Sequence, residues 1–407
     1  MESITSHIKN TIYVGVERKM IAKKIETANV DSSNVFLRKL WGAIASASQF
    51  GWQYMPYTDK RQKIVDIGRN NLGHFYFTYK KRGTIDTLYV DECRKEDLVE
   101  SLIDKALMFQ EEKEYAVEMY FDVKTYPLIA TSHYNNISVK SEEKKVVFCI
   151  PIKAYSSLDL EYIAYQRALS LSSLLFVYTH INYGMPSITL LNEMEAGNKP
   201  TTDSDYNYEW YDADECPQSE RGEIVLPKEF LMLIEQITEN FFLDDFTTSI
   251  VNASQLIYNS INLYDASRNL KNMPMQGLYD IINTVVISSL EALASTNKIE
   301  SKKCPCCGQE VYSVVQNVYS IAEKYLDEPI ASDIKNRIYR NRSKYLHEGK
   351  SSGGLYRYKW SYPLIKPHIN PNDKNFMILG YGAPEYNLID YCMYITRMIV
   401  CDYYNHL

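Results

Sequence analysis

No run of apolar residues in this chain is long enough to cross a bilayer, so the sequence gives no sign of a membrane-spanning helix. The opening Met1-Glu2-Ser3-Ile4-Thr5 lacks both the basic start and the apolar stretch of a signal peptide, and a cytoplasmic location is expected. Cysteine is sparse, 8 in 407 residues, which does not make a disulfide scaffold. Several cysteines lie in apolar contexts such as Val147-Phe148-Cys149-Ile150 and read as buried thiols. No Gly-x4-Gly-Lys-Ser/Thr loop is present, so a P-loop ATPase is unsupported, and there is no GxSxG elbow. His347-Glu348 opens a HExxH pattern, but Ser351 stands where the second histidine is required, which excludes a zincin. Internal repeats and low-complexity tracts are missing as well.

What remains is ordinary core-forming composition, 45% hydrophobic and 23% charged, in a chain whose length suggests two domains. The net charge of -7 argues against a protein coated in nucleic acid, but the charge is unevenly spread. Lys335, Arg337, Arg340, Arg342, Lys344, Lys350, Arg357, Lys359 and Lys366 face the single acid Glu348. Tyr339, Tyr345, Tyr356, Tyr358, Trp360 and Tyr362 are interleaved with them, a mixture that can pair phosphates and stack bases. A solvated helix face followed by a Tyr-rich hairpin explains the same run without RNA.

The first half reads as α+β. An amphipathic helix is expected from Ser33 to Gln49 and a β-hairpin from His74–Tyr79 and Thr84–Val90; a second helix follows at Glu96–Gln110. Strands over Ala116–Val123 and Lys145–Ala154 lead to a long apolar-striped helix at Leu158–His180. Residues 199–225 are acidic and contain Pro200, Pro217 and Gly222, the composition of a linker or a long surface loop. Expected helices then follow at Lys228–Phe242, Thr247–Ala266, Met275–Ser295, Val311–Leu326, Ser332–Leu346 and Tyr386–Tyr404. The expected organisation is therefore an α+β domain at 1–198, an acidic linker at 199–225 and an all-α bundle at 226–407.

Chemistry concentrates in Arg342-Ser343-Lys344-Tyr345-Leu346-His347. Arginine is permanently charged and grips phosphate oxygens in pairs, while histidine exchanges a proton near neutral pH. The spacing resembles the Arg-x4-to-6-His signature of the HEPN superfamily, and with Glu348-Gly349 following it is most similar to the Apea-like branch of prokaryotic defence ribonucleases. Arg340-Asn341-x5-His347 offers a second, longer register, with Arg342 preferred and Arg340, Asn341 and Lys344 binding RNA or orienting the site. On a continued helix His347 projects nearer Arg340, so the preferred register needs the chain to leave helical direction near Gly349. Ile334, Ile338, Asn341 and Tyr345 share one face at helical spacing, which puts Asn341 where a core residue is expected.

Glu291 stands alone among apolar residues in Ile287-Ser288-Ser289-Leu290-Glu291-Ala292-Leu293 and needs a partner if buried. The resemblance implies a similar acid near the motif, orienting Arg342 or His347; exposure to solvent is the plain alternative. It further implies an all-α fold, cleavage without a catalytic metal, and a homodimer whose two motifs form one site. His347 would act as general acid or base while the ribose 2′-hydroxyl attacks its own phosphate, and Arg342 would stabilise charge on phosphorus. The first domain is expected to be a sensor or regulatory domain answering a phage-derived or other trigger, in an antiviral role, with an RNA-guiding domain as the equal alternative. A non-catalytic HEPN module that binds RNA or protein is the alternative. Cys304 and Cys307 have the spacing for half of a structural zinc site, with Cys392, Cys401, His368 or a second subunit as sources of the rest; a reduced surface turn or a redox-sensitive pair are the competing readings.

Overall fold

A computed structural model describes residues 19–48, 57–59, 63–80, 84–108, 110–123, 129–191, 222–269, 275–296, 302–303, 310–311, 314–349, 363–367, 377–381 and 384–405. The elements in chain order are β1 Lys19–Lys24, α1 Val30–Ala47, β2 Tyr57–Asp59, β3 Ile64–Arg69, β4 His74–Tyr79, β5 Ile85–Cys93 and α2 Glu96–Leu107. There follow β6 Lys113–Asp122, β7 Ser132–Tyr134, β8 Ile137–Glu142, β9 Lys145–Ala154, α3 Ser157–Thr179 and β10 Ser187–Leu191. The later chain holds α4 Lys228–Glu239, α5 Asp245–Asn269, α6 Met275–Ala294, β11 Lys302–Lys303, β12 Glu310–Val311, α7 Val314–Tyr325 and α8 Glu328–Asp333. A π-helical segment, Ile334–Tyr339, runs directly into α9 Arg340–Glu348, and β13 Pro363–Pro367, β14 Met377–Tyr381 and α10 Pro384–Asn405 complete the order.

Contacts divide the chain into two units, one of residues 1–114 with 153–162 and the other of residues 115–152 with 163–407. In the first, an antiparallel sheet in the order β1-β5-β4-β3-β2 carries α1 and α2 on one face. Alternation along β4 and β5 sends Phe75, Phe77, Leu88 and Val90 into the core, where they meet Phe36, Leu40 and Ile44 of α1 and Val99 and Ile103 of α2. Asn29 and Ser32 cap α1 reciprocally, each side chain accepting the other residue's backbone N–H. Arg38 is buried on α1 and paired twice. Its Nε and Nη2 donate to the two carboxylate oxygens of Asp159 at 3.0 and 2.8 Å, and its Nη1 lies 2.9 Å from Glu112.

The second unit contains a sheet in the order β10-β6-β9-β8-β7 and the helices from α4 onward. Phe121 meets Phe148 and Tyr183 edge-on at 5.8 and 6.3 Å, and Tyr178 of α3 packs on Phe230 of α4 at 4.6 Å. α10 packs against α4, α5, α6 and α7, and its fully buried Arg397 donates from Nη1 to the Val177 carbonyl at 2.7 Å. α6 in turn contacts α7 and α9.

The expected hairpin, the two early helices and the long α3 are present close to their expected bounds. Other parts are drawn differently from expectation. Residues 226–407 are mainly helical but not all-α, because the pairs β11–β12 and β13–β14 lie among the helices. The division by contacts differs from a break at 198, since β6–β10 fall with the helices. The stretch 199–221 lies outside the described residues; just beyond it Ile224 is buried and bridges Ile129 in parallel. The single helix expected over Ser332–Leu346 is three segments, α8, the π-segment and α9.

Candidate functional site

The site begins with the fusion of two helical geometries. A π-turn takes more residues than an α-turn, so everything after Ile334–Tyr339 is rotated relative to a regular α-helix. The shared face expected for Ile334, Ile338, Asn341 and Tyr345 therefore does not form as counted: Ile334 is fully buried, while Asn341 is half-buried and makes no side-chain hydrogen bond among the described residues. The rotation sets Arg342 of α9 against Glu291 of α6.

That contact is bidentate. Arg342 Nη1 donates to Glu291 Oε1 at 2.7 Å and Nη2 to Oε2 at 2.8 Å, with both side chains about one-fifth exposed (17% and 21%). The fork of a guanidinium matches the two oxygens of a carboxylate, and at this depth the pair is partly shielded from water. Tyr339, the last residue of the π-segment, donates its hydroxyl to the same Oε1 at 2.8 Å and lies under the guanidinium, 5.5 Å from ring centre to Cζ. Burial, the hydrogen bond to Glu291 and its negative charge push the Tyr339 phenol up to about 12, so it stays a proton donor at any ordinary pH. Arg342 Nε is buried with no partner among the described residues.

His347 is elsewhere on the helix. α9 continues through Glu348, and Gly349 ends it in the left-handed conformation at φ 64°. The expected stop is therefore at Gly349, but it comes too late to turn His347 away from helical direction. Arg342 and His347 are five residues apart, about 140° around the axis, whereas seven residues bring Arg340 to within about 20° of His347. Lys344 lies between them on the same side. Arg340 and His347 are exposed and Lys344 is half-buried, so one outward stripe at i, i+4 and i+7 carries two fixed cations and a histidine.

The motif thus separates into two groups, an anchored cluster of Glu291, Tyr339 and Arg342 and an outward stripe of Arg340, Lys344 and His347. Sequence reading missed Tyr339 as a partner of Glu291. Its signal was its place three residues before Arg342, but the π-segment that aligns them leaves no periodic trace. No family model, curated protein or solved structure matches this chain. The geometry alone carries the reading of the site.

Other candidates are less defined. Cys304, Cys307 and His368 lie outside the described residues, as do Lys350, Tyr356, Arg357, Tyr358, Lys359, Trp360 and Tyr362. Cys392 and Cys401 of α10 are buried, and burial pushes the Cys392 thiol up to about 12. No group of three metal-ligating side chains is gathered among the described residues.

Proposed function

We propose that this protein is an endoribonuclease of the HEPN type, cutting RNA through the outward stripe of α9 without a catalytic metal. The observation that carries the reading is the placement of Arg340, Lys344 and His347 along one stripe of a helix, with Arg340 and His347 exposed and Lys344 half-buried, while Arg342 is fixed by Glu291 and Tyr339. Arg340 and Lys344 hold the phosphate and neutralise charge as it develops; His347 moves the proton. The ribose 2′-oxygen forms a bond to its adjacent phosphorus as the bond to the 5′-oxygen breaks. The proton of the 2′-hydroxyl goes to a neutral histidine, and the departing 5′-oxygen takes a proton from an imidazolium. One chain offers one such histidine on this face, so a second copy of His347 across a homodimer supplies the other role. Arg342 is a positioning residue that locks α9 on α6, its two Nη groups engaged by Glu291 where a phosphate was expected.

In this reading the products are a 2′,3′-cyclic phosphate and a 5′-hydroxyl. The test is incubation of wild-type and His347→Ala protein with RNA in EDTA, followed by end-group determination. Cleavage of single-stranded DNA, or a strict need for magnesium, sinks the proposal, because DNA has no 2′-hydroxyl to attack. A regulated antiviral role, with a trigger acting on the first part of the chain, accompanies the proposal and is tested by growth arrest that His347→Ala relieves.

A second reading rests on Arg342 itself. With both Nη groups given to Glu291, the motif also suits a non-catalytic module that binds RNA or protein through the stripe. RNA binding without cleavage under any trigger selects this alternative.

A further inference from the structure

Away from α9, the first unit contains a cavity of about 120 Å³ between α1, α2 and the entry to α3, lined by Lys39, Ser46, Lys105, Gln110, Tyr155 and Ser156. Its volume corresponds to roughly four waters at about 30 Å³ each, enough for one small oxyanion. The lining is rich in donors. Lys39 is half-buried, donates to the Met108 carbonyl at 3.3 Å and sits 5.0 Å from the centre of the Tyr155 ring. Lys105 is exposed at the mouth. Gln110 uses one amide hydrogen on the Tyr155 carbonyl at 3.4 Å and has another to give. Ser156 accepts from the Asp159 N–H at 3.1 Å, leaving its own hydroxyl hydrogen uncommitted among the described residues.

The nearby acids are already engaged. Asp159 and Glu112 are both held by Arg38, and Asp104 is 2.8 Å from Lys23. Among the described residues, no carboxylate lies within 4.0 Å of the ammonium group of Lys39 or Lys105. Lys39 therefore feels Glu112 only from beyond ion-pair distance, with that carboxylate already paired to Arg38, and a bound anion would give both lysines a charged hydrogen-bond partner. The walls also fit closely. At Gly42 a Cβ would come 2.4 Å from the Ser156 hydroxyl oxygen, so only glycine lets Ser156 approach α1 to close this side.

We infer that this cavity binds a phosphate-sized oxyanion, either the free ion or the terminal phosphate of a small phosphorylated metabolite whose remainder projects past Lys105. The inference does not depend on the α9 reading. Burial lowers the affinity of the Lys39 ammonium for its proton, and an anion alongside would restore it.

The experiment is calorimetric titration of the full chain with inorganic phosphate and, separately, with adenosine monophosphate at constant ionic strength. One saturable site per chain is expected. Lys39→Gln and Lys105→Gln should each weaken it by about tenfold, while Lys228→Gln leaves it unchanged. Equal affinity for both probes assigns the free ion, and tighter nucleotide binding that phosphate competes away assigns the phosphorylated metabolite. No saturable binding at millimolar concentrations of either probe overturns the inference. So does binding that survives unchanged in both lysine variants; the exposed Lys105 keeps that comparison independent of folding.

Discussion

At the level of single residues, the α9 reading separates side chains that touch RNA from those that hold the helix. His347→Ala removes the proton-transfer group and should lower cleavage by about a hundredfold or more, while RNA affinity is little changed. Arg340→Ala and Arg342→Ala should fail differently. Loss of Arg340 weakens RNA binding and flattens its salt dependence, measured by titration at several ionic strengths. Loss of Arg342 instead lowers stability, because among the described residues Glu291 then keeps only the Tyr339 hydroxyl as partner. Glu291→Gln should destabilise the fold by about 1.5–3 kcal/mol in denaturant unfolding, the range for a hydrogen-bonded charge. If Arg342→Ala abolishes cleavage in a fully stable protein, the catalytic role returns to Arg342.

Among the elements, the π-segment decides which side chains meet. Deleting the exposed Asn336 would bring Ile334–Tyr339 toward α-helical spacing and rotate α9 by about 100°, taking Arg342 off Glu291. Hydrogen exchange across α9 should rise sharply in that variant, and unchanged protection would show that the π-turn sets nothing. Gly349→Ala tests the other end. Open space surrounds a Cβ there, so only the left-handed backbone at φ 64° resists, at a cost of about 1 kcal/mol read from thermal unfolding. These two ends also mark what the sequence could reveal. Gly349 was legible because glycine after a periodic run has a backbone meaning of its own, and α1 was legible from Phe36, Leu40 and Ile44. The Arg340–Lys344–His347 stripe could also be read, as simple helical spacing. The Glu291–Arg342 contact needed tertiary structure, since it joins residues 51 apart in the chain. The π-segment gave no signal, because its residues satisfy α-helical periodicity equally well until the register after them is observed.

For the molecule as a whole, two half-buried phenols and a buried thiol define an alkaline limit. Tyr76 and Tyr339 are held up to about 12 and Cys392 likewise, with burial the leading cause in each. A group whose pKa is higher when folded binds its proton more tightly in the native state. Its contribution is complete below the unfolded value, near 10 for tyrosine, and is lost as pH climbs toward 12. Spectrophotometric titration should show exposed tyrosines ionising near 10, with a late fraction appearing only together with loss of near-ultraviolet dichroism. A single smooth titration near 10 with structure intact would contradict this burial.

α3 has a consequence for synthesis. The chain begins the first unit, leaves it after residue 114, returns at 153 and departs for good after 162, one-quarter of the way along α3. Arg38 is therefore made 121 residues before Asp159, the carboxylate that accepts from its Nε and Nη2. At typical rates of about 5–20 residues per second, the ribosome keeps Arg38 waiting roughly 6–24 seconds for this partner. No cut at a single point releases the first unit whole.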